Sequence, residues 1–294
     1  MNPRTASVSR IADFLIAIFD KGRAISTIRG YRSAIAAVHA DGASITESPT
    51  LGKLLRALFN KRPPARKLLP SWSLPKVLDA LAQAPFEPLA EASLRDVTIK
   101  TVFLVAIASG QRRSALHALS AAPGHIRWEP GGVRLIPNPT FIAKNQTASS
   151  DPVEIFIQPL SSLSSISEDK VWCPVRALKY YWHRTRAKRT GKQLFIITKE
   201  PFSPASRDTI SKWLVAAIQA AGPEALAPGN VPHAHDTRSL STSWALFNGV
   251  SVQEIQKAAY WRSPNSFISC YLKDVPAAEP SFSRAALSAA AGLR

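Results

Sequence analysis

The chain has 294 residues, enough for two domains or one large one with a sizeable core. Hydrophobic residues make up 46 %, which excludes a disordered chain, and no apolar run reaches the ~18 residues of a membrane-spanning helix. Lys and Arg outnumber Asp and Glu by 37 to 20, a net charge of +17 that predicts a polyanionic partner. The basic residues are spread over many segments instead of one amphipathic face, so nucleic acid fits better than a membrane surface. The first residues lead into an amphipathic helix and carry no signal-peptide pattern. Cys173 and Cys270 have no metal-ligand spacing, and two lone cysteines point to a reducing compartment.

The first 60 residues read as three helices. Ile11, Leu15, Ile18 and Phe19 have helical spacing, with Gly22 as the stop. Ser26 is expected to cap a second helix with Ile28, Tyr31, Ile35 and Val38 on one stripe and Gly42 as its end. Leu51, Leu54, Leu55 and Leu58 form a third stripe. Arg29 and Arg32 share one face of the second helix and have two readings, a solvated face or a phosphate-contacting one. Residues 60–72 break the pattern. Lys61-Arg62-Pro63-Pro64-Ala65-Arg66-Lys67 is basic and proline-rich, incompatible with a regular helix. It reads as a linker (61–72) lying along a nucleic-acid backbone, or alternatively as a nuclear-import signal.

Helices are predicted near 73–84 and 93–109, then a short one from Arg112. Residues 125–158 carry three strand patterns: Ile126-Arg127-Trp128, Val133-Arg134-Leu135-Ile136 and Val153-Glu154-Ile155-Phe156-Ile157, with a turn at Pro130-Gly131-Gly132. Lys144 falls in the polar hairpin region between two of them. Helices resume near 174–189, 206–221, 236–248, 251–259 and 264–273. The tail from residue 276 is rich in Ala, Ser and Pro, with Phe282 and Leu287 as apolar anchors.

One set of residues suggests chemistry. His235-Asp236-Thr237-Arg238 is followed by Tyr271, and Gly110-Gln111-Arg112-Arg113-Ser114 lies far upstream. Two guanidiniums can grip the non-bridging oxygens of a phosphate and neutralise charge as it builds. A tyrosine hydroxyl can attack phosphorus and hold the strand covalently. Taken singly, each residue has a plainer reading. Arg112 could be a surface cation, His235 a helix-start residue, Lys144 a solvated loop lysine, Trp261 core packing and Tyr271 a half-buried aromatic.

In order and spacing, Gly110-Gln111-Arg112, Lys144, His235-x-x-Arg238, Trp261 and Tyr271 resemble the active site of the tyrosine recombinases, the phage-integrase family. The resemblance covers roughly residues 73–275, and the N-terminal helices are similar to that family's helical core-binding domain. It implies a mainly α fold with a small antiparallel β-sheet, with a core-binding domain at 1–60, a catalytic domain at 73–275 and a tail at 276–294. It also implies a site-specific recombinase or integrase that cuts and rejoins strands through a 3′-phosphotyrosine without metal, cofactor or ATP. Arg112 and Arg238 would clamp the scissile phosphate, and Arg113 is the neighbouring candidate for the first arginine. His235 would be a general base or an added donor, and Lys144 would protonate the departing 5′ oxygen. Trp261 would donate its indole N–H, and Tyr271 would be the nucleophile, with Tyr260 as its nearest rival. Arg29, Arg32, Lys61, Arg62, Arg66 and Lys67 would contact DNA.

The implied partners are double-stranded DNA and further copies of the chain, two per DNA site and four per assembly, with the tail docking on a neighbouring copy. Trp172-Cys173-Pro174-Val175-Arg176-Ala177-Leu178 resembles the recombinases of DIRS- and Ngaro-type retrotransposons and Cryptons, which implies a nuclear enzyme of a mobile element. Outside that branch, the cytoplasm or nucleoid is expected. Three positions depart from the family pattern. Ala115 stands where an acid is usual, Ser239 replaces a common second histidine, and Ala258-Ala259-Tyr260-Trp261 replaces a Leu-Gly-His-like turn. A DNA-binding protein with decayed catalysis, a type IB topoisomerase-like enzyme and a Cys270–His235 hydrolase are the competing readings.

Overall fold

The computed structural model describes residues 1–64, 69–144, 153–160, 167–261, 263–264, 267–268 and 271–275, with 167–169 described through the backbone alone. The chain divides into two compact units, Met1–Lys67 and Leu68–Arg294.

Among its described residues the first unit has four helices, one more than the sequence pattern suggests: α1 (Val8–Asp20), α2 (Ile25–Val38), α3 (Gly42–Glu47) and α4 (Pro49–Lys61). Ser7 caps α1 by accepting the Arg10 N–H, and Ile11, Leu15 and Phe19 recur at four-residue spacing on its buried face. Ile11 and Leu15 are fully buried, each worth about 1.5–3 kcal/mol of transfer free energy. Helix α2 starts at Ile25 behind Ala24, not behind a Ser26 cap. It buries Ile25, Ile28 and Ile35, whereas Tyr31 and Val38 face solvent. Gly42 does not end α2 but opens α3. A Cβ there would sit 2.2 Å from the Ala36 carbonyl oxygen, so only glycine allows α3 to fold back onto α2. Leu51, Leu55 and Leu58 of α4 complete this core.

The second unit is built around α6 (Leu94–Ser109), which is buried on nearly every side. It follows α5 (Leu74–Leu81) and packs against α8 (Pro174–Thr185), α9 (Arg207–Gln219), α10 (Asp236–Phe247) and the sheet. That burial traps Lys100, with 0 % of its side chain exposed. Its ammonium donates to the Leu81 carbonyl (2.7 Å) and the Glu87 carboxylate (2.6 Å). Arg176 of α8 grips the same carboxylate through two nitrogens at 2.6 and 3.1 Å. Burial pushes the Glu87 carboxyl up, but its hydrogen bonds from Arg176 and Lys100 outweigh that and hold it below the usual carboxylate range.

The sheet is antiparallel, in the order β1 (Ile126–Glu129), β2 (Gly132–Leu135), β3 (Ile155–Ile157), with Trp128 opposite Val133 and Leu135 opposite Ile155. Gly132 belongs to β2 and not to the turn; its φ is 153° and a Cβ would meet the Ile157 carbonyl at 2.2 Å. Two short helices, α7 (Arg113–Ala118) and α11 (Val252–Ala258), flank the candidate site. The unit is thus mainly α with a small antiparallel sheet.

Candidate active site

Three chain segments converge because each lies at a helix end, two at C-termini and one at an N-terminus. Gly110, at φ 59°, turns the chain out of α6, leaving Arg112 in extended conformation at the start of α7. His235 precedes α10 and Arg238 lies in its first turn. The residues after α11 carry Trp261.

Arg238 is the centre of the cluster, with 1 % of the residue exposed. Its two terminal nitrogens donate to the carbonyls of Gly110 (2.7 Å) and Ala259 (2.6 Å), tying the end of α6 to the end of α11. Its guanidinium carbon lies 4.4 Å from the Trp261 ring centroid and 5.5 Å from that of Tyr271. Burial, and then the like charge of Arg112, pull its pKa down to about 9, so it remains a cation at neutral pH. Among the described residues, no carboxylate is a hydrogen-bond partner of Arg238.

The imidazole Nε2 of His235 lies 3.2 Å from the Tyr271 hydroxyl, with ring centroids 5.3 Å apart. Burial first, then the charges of Arg238 and Arg112, lower the His235 pKa below its ordinary value. The ring is therefore neutral at pH 7 and can accept the phenol proton. Trp261 stacks on Phe267 (5.2 Å) and lies 4.8 Å from the Tyr271 ring. The backbone N–H of Tyr271 donates to the Phe267 carbonyl at 2.9 Å, a helical bond. Among the described residues, four buried side-chain donors have no partner, and two of them, Arg238 Nε and Trp261 Nε1, belong to this cluster. Unmet buried donors are costly, and an acceptor entering the site would satisfy them.

Beside the cluster lies a cleft of about 640 Å³, walled by Arg112, Arg113, Lys212, His233, His235 and Arg238 among others, with no carboxylate in its lining. Such a cavity suits an anion. Tyr271 and Trp261 are not in the cleft wall; they reach it through His235 and Arg238.

The structure thus brings together His235, Arg238, Trp261 and Tyr271 by direct contact, and Arg112 through the shared cleft. Arg113 also lines the cleft, but its guanidinium is held by Asp208 (3.3 Å) and Ser211 (2.9 Å). Lys144 departs from the expected convergence. It lines a separate cleft of about 560 Å³ with Ser114, His117, Lys192 and Arg207. The reason is local: Lys144 sits in a turn after β2 and outside the sheet ladder, so strand pairing does not carry it toward Arg238. In the first unit, Arg29 is exposed 5.8 Å from the Phe59 ring centroid, and Arg32 is partly buried on the same helix. Lys61 closes α4 and is exposed. Arg62 folds back, donating to the carbonyls of Phe19 and Arg23 at 2.8 Å with its guanidinium 3.8 Å from the Phe19 ring. Its charge therefore serves the end of α1. Arg66, Lys67, Cys270 and the tail lie outside the described residues.

Sequence reasoning missed several participants. His233, two residues before His235, lines the cleft, as does Lys212 from α9. Gln111 is buried and donates to the Ala258 carbonyl at 2.7 Å. Its place between Gly110 and Arg112 was the available signal. Tyr260 is no rival nucleophile, because its hydroxyl is engaged with the backbone of Glu154.

No protein-family profile matches the sequence, and no curated protein sequence does. Solved structures do match. The Tn1549 transposon integrase in complex with transposon right-end DNA aligns with a TM-score of 0.57 at 13% identity, over 97% of this chain and 85% of that one. The XerH site-specific recombinase in a post-cleavage complex with a palindromic difH substrate gives 0.56 at 13%, over 97% and 71%. A lambda integrase dimer bound to a COC′ core site gives 0.51 at 18%, over 94% and 67%. The chain therefore has the fold of the tyrosine recombinases; at these identities the likeness defines fold and not activity.

Proposed function

We propose that this chain is a site-specific DNA strand transferase of the tyrosine-recombinase type. The observation that carries the reading is the 3.2 Å approach of the His235 imidazole to the Tyr271 hydroxyl, against a buried arginine that has no carboxylate partner. In this reading the Tyr271 oxygen attacks the scissile phosphorus and His235 takes the phenol proton. The bond from phosphorus to the 5′ oxygen breaks, leaving a 3′-phosphotyrosine and a 5′ hydroxyl. Arg112 and Arg238 balance charge on the non-bridging oxygens, and Trp261 Nε1 supplies a further donor. Lys144 is the proposed donor to the leaving oxygen and has to move from its own cleft to act. Religation reverses these steps on another strand, and the phosphotyrosine conserves the bond energy.

The fold neighbours act on DNA, one as a dimer on its site and one as a transposon integrase. On that support we assign double-stranded DNA as the partner, a dimer per site that pairs into a tetramer, and a role in moving a genetic element. The DIRS, Ngaro or Crypton branch rests on the residue 172–178 motif, and a nuclear location on that motif together with the basic 61–67 run. The test is incubation with a nicked suicide duplex carrying candidate sites. A covalent protein–DNA adduct is expected with the parent chain and none with Tyr271→Phe. The separate position of Lys144 and the alanine at 115 favour a second reading, a DNA-binding protein without catalysis. Retained DNA binding with no adduct from the parent chain would establish it.

A further inference from the structure

Helices α1 and α11 end in the same hydrogen-bonded cap, and comparing them isolates one residue. At the end of α1 the Gly22 N–H donates to Phe19 O (2.9 Å) and the Arg23 N–H to Ile18 O (3.3 Å), with Gly22 at φ 83°. At the end of α11 the Tyr260 N–H donates to Lys257 O (3.2 Å) and the Trp261 N–H to Gln256 O (3.0 Å), with Tyr260 at φ 51°. This cap demands a left-handed residue, for which glycine is the ordinary choice. A tyrosine there is strained, and such strain persists only where the surroundings over-determine it. Here the surroundings are Glu154. The Tyr260 hydroxyl donates to the Glu154 carbonyl (2.7 Å) and accepts from the Glu154 N–H (2.9 Å). Glu154 directly precedes β3, and its carboxylate accepts from Arg134 of β2 at 3.3 Å. The hydroxyl thus ties the end of α11 to the sheet.

The tied segment is the one that carries the site. The two carbonyls before Tyr260 receive Gln111 and Arg238, at Ala258 and Ala259. The residue after it, Trp261, packs on both Arg238 and Tyr271. We propose that Tyr260 is a positioning residue for strand cleavage, holding Ala259 and Trp261 where they fix the Arg238 guanidinium beneath Tyr271. This inference rests on the recombinase reading. Glycine at 260 would form the cap more easily but leave it untied, so the strain is offset by the link to β3.

Two substitutions separate the tie from the turn. Tyr260→Gly relieves the backbone and Tyr260→Phe retains its strain, while both remove the hydroxyl. With the full chain and the suicide duplex, both variants are expected to form adduct roughly tenfold or more slowly, the scale of a displaced reacting group, at unchanged DNA affinity. Both should also lose hydrogen-exchange protection at the Glu154 amide, and Tyr260→Gly should melt no lower than Tyr260→Phe. A Tyr260→Gly protein that forms adduct at the parent rate, or a Glu154 amide that stays protected in both variants, overturns the proposal. Absence of adduct from the parent chain is a different result, which removes the recombinase reading and the positioning role with it.

Discussion

Lys100 and Arg238 are both cations buried to the last per cent, yet the fold treats them in opposite ways. Lys100 meets the Glu87 carboxylate at 2.6 Å, and Arg176 closes the same carboxylate from α8. Arg238 meets two backbone carbonyls and two aromatic faces, keeps one nitrogen unpartnered, and has Arg112 near enough to depress its pKa. A buried ion without a counter-ion is expensive. The first cluster closes its charges internally, and on the proposed function the second would meet the charge of the scissile phosphate.

Substitution is the direct way to break this contrast. Arg238→Gln should lower the adduct-formation rate about 10²–10³-fold, the scale of removing one preorganised donor to a developing charge. It should cost only about 1–2 kcal/mol of stability, because relief of the desolvated charge offsets the lost hydrogen bonds. Single-turnover cleavage and denaturant titration of one preparation measure both. If stability falls as far as activity, the contrast fails. Glu87→Gln should do the reverse. Leaving Lys100 uncompensated is expected to cost about 3–5 kcal/mol in a urea titration, while the cleavage rate of the remaining folded protein is unchanged.

The two clusters should also separate along the pH axis. The Glu87 carboxyl is held below its unfolded value, so its contribution is complete above that value and is lost as pH falls through the folded one. The His235 pKa is also lowered, so the neutral imidazole persists below the ordinary histidine value of about 6.5. The single-turnover rate should therefore hold level as pH drops through about 6.5 and decline only at lower pH, while the fold loses the Glu87 contribution only below the ordinary carboxylate value. A rate that falls in step with an unshifted imidazole would show that His235 is not the base. The smallest effect concerns the cleft. Lys212→Ala should reduce the slope of log affinity against log salt by about 0.9, the contribution of one neutralised phosphate, and leave the cleavage rate on saturating DNA near the parent value. An unchanged slope would remove Lys212 from the DNA footprint.

The sequence by itself determined much of this. Period-3.6 stripes located α1 and α4, because a helix with one buried face must repeat its apolar residues at that spacing, and α6, buried on nearly every side, showed instead as a continuous apolar run. Alternating β-branched and aromatic residues located the three strands, and the order of arginine, histidine and tyrosine marked the site. Tertiary structure alone decided the remainder. Gly42, which reads as a helix stop, is required where α3 approaches the Ala36 carbonyl, a contact invisible in local pattern. Lys144, a neighbour of the site by motif, lines another cleft, because a turn outside the ladder takes its position from packing and not from strand register. Arg62 reads as one more cation in a basic run until the carbonyls at the end of α1 claim it. Tyr260 is an unremarkable aromatic until its φ of 51° and its two bonds to Glu154 are seen together. The division has a physical basis. Periodicity follows from backbone geometry within a few residues, whereas the partner of a charge or hydroxyl is set by groups that only folding brings near.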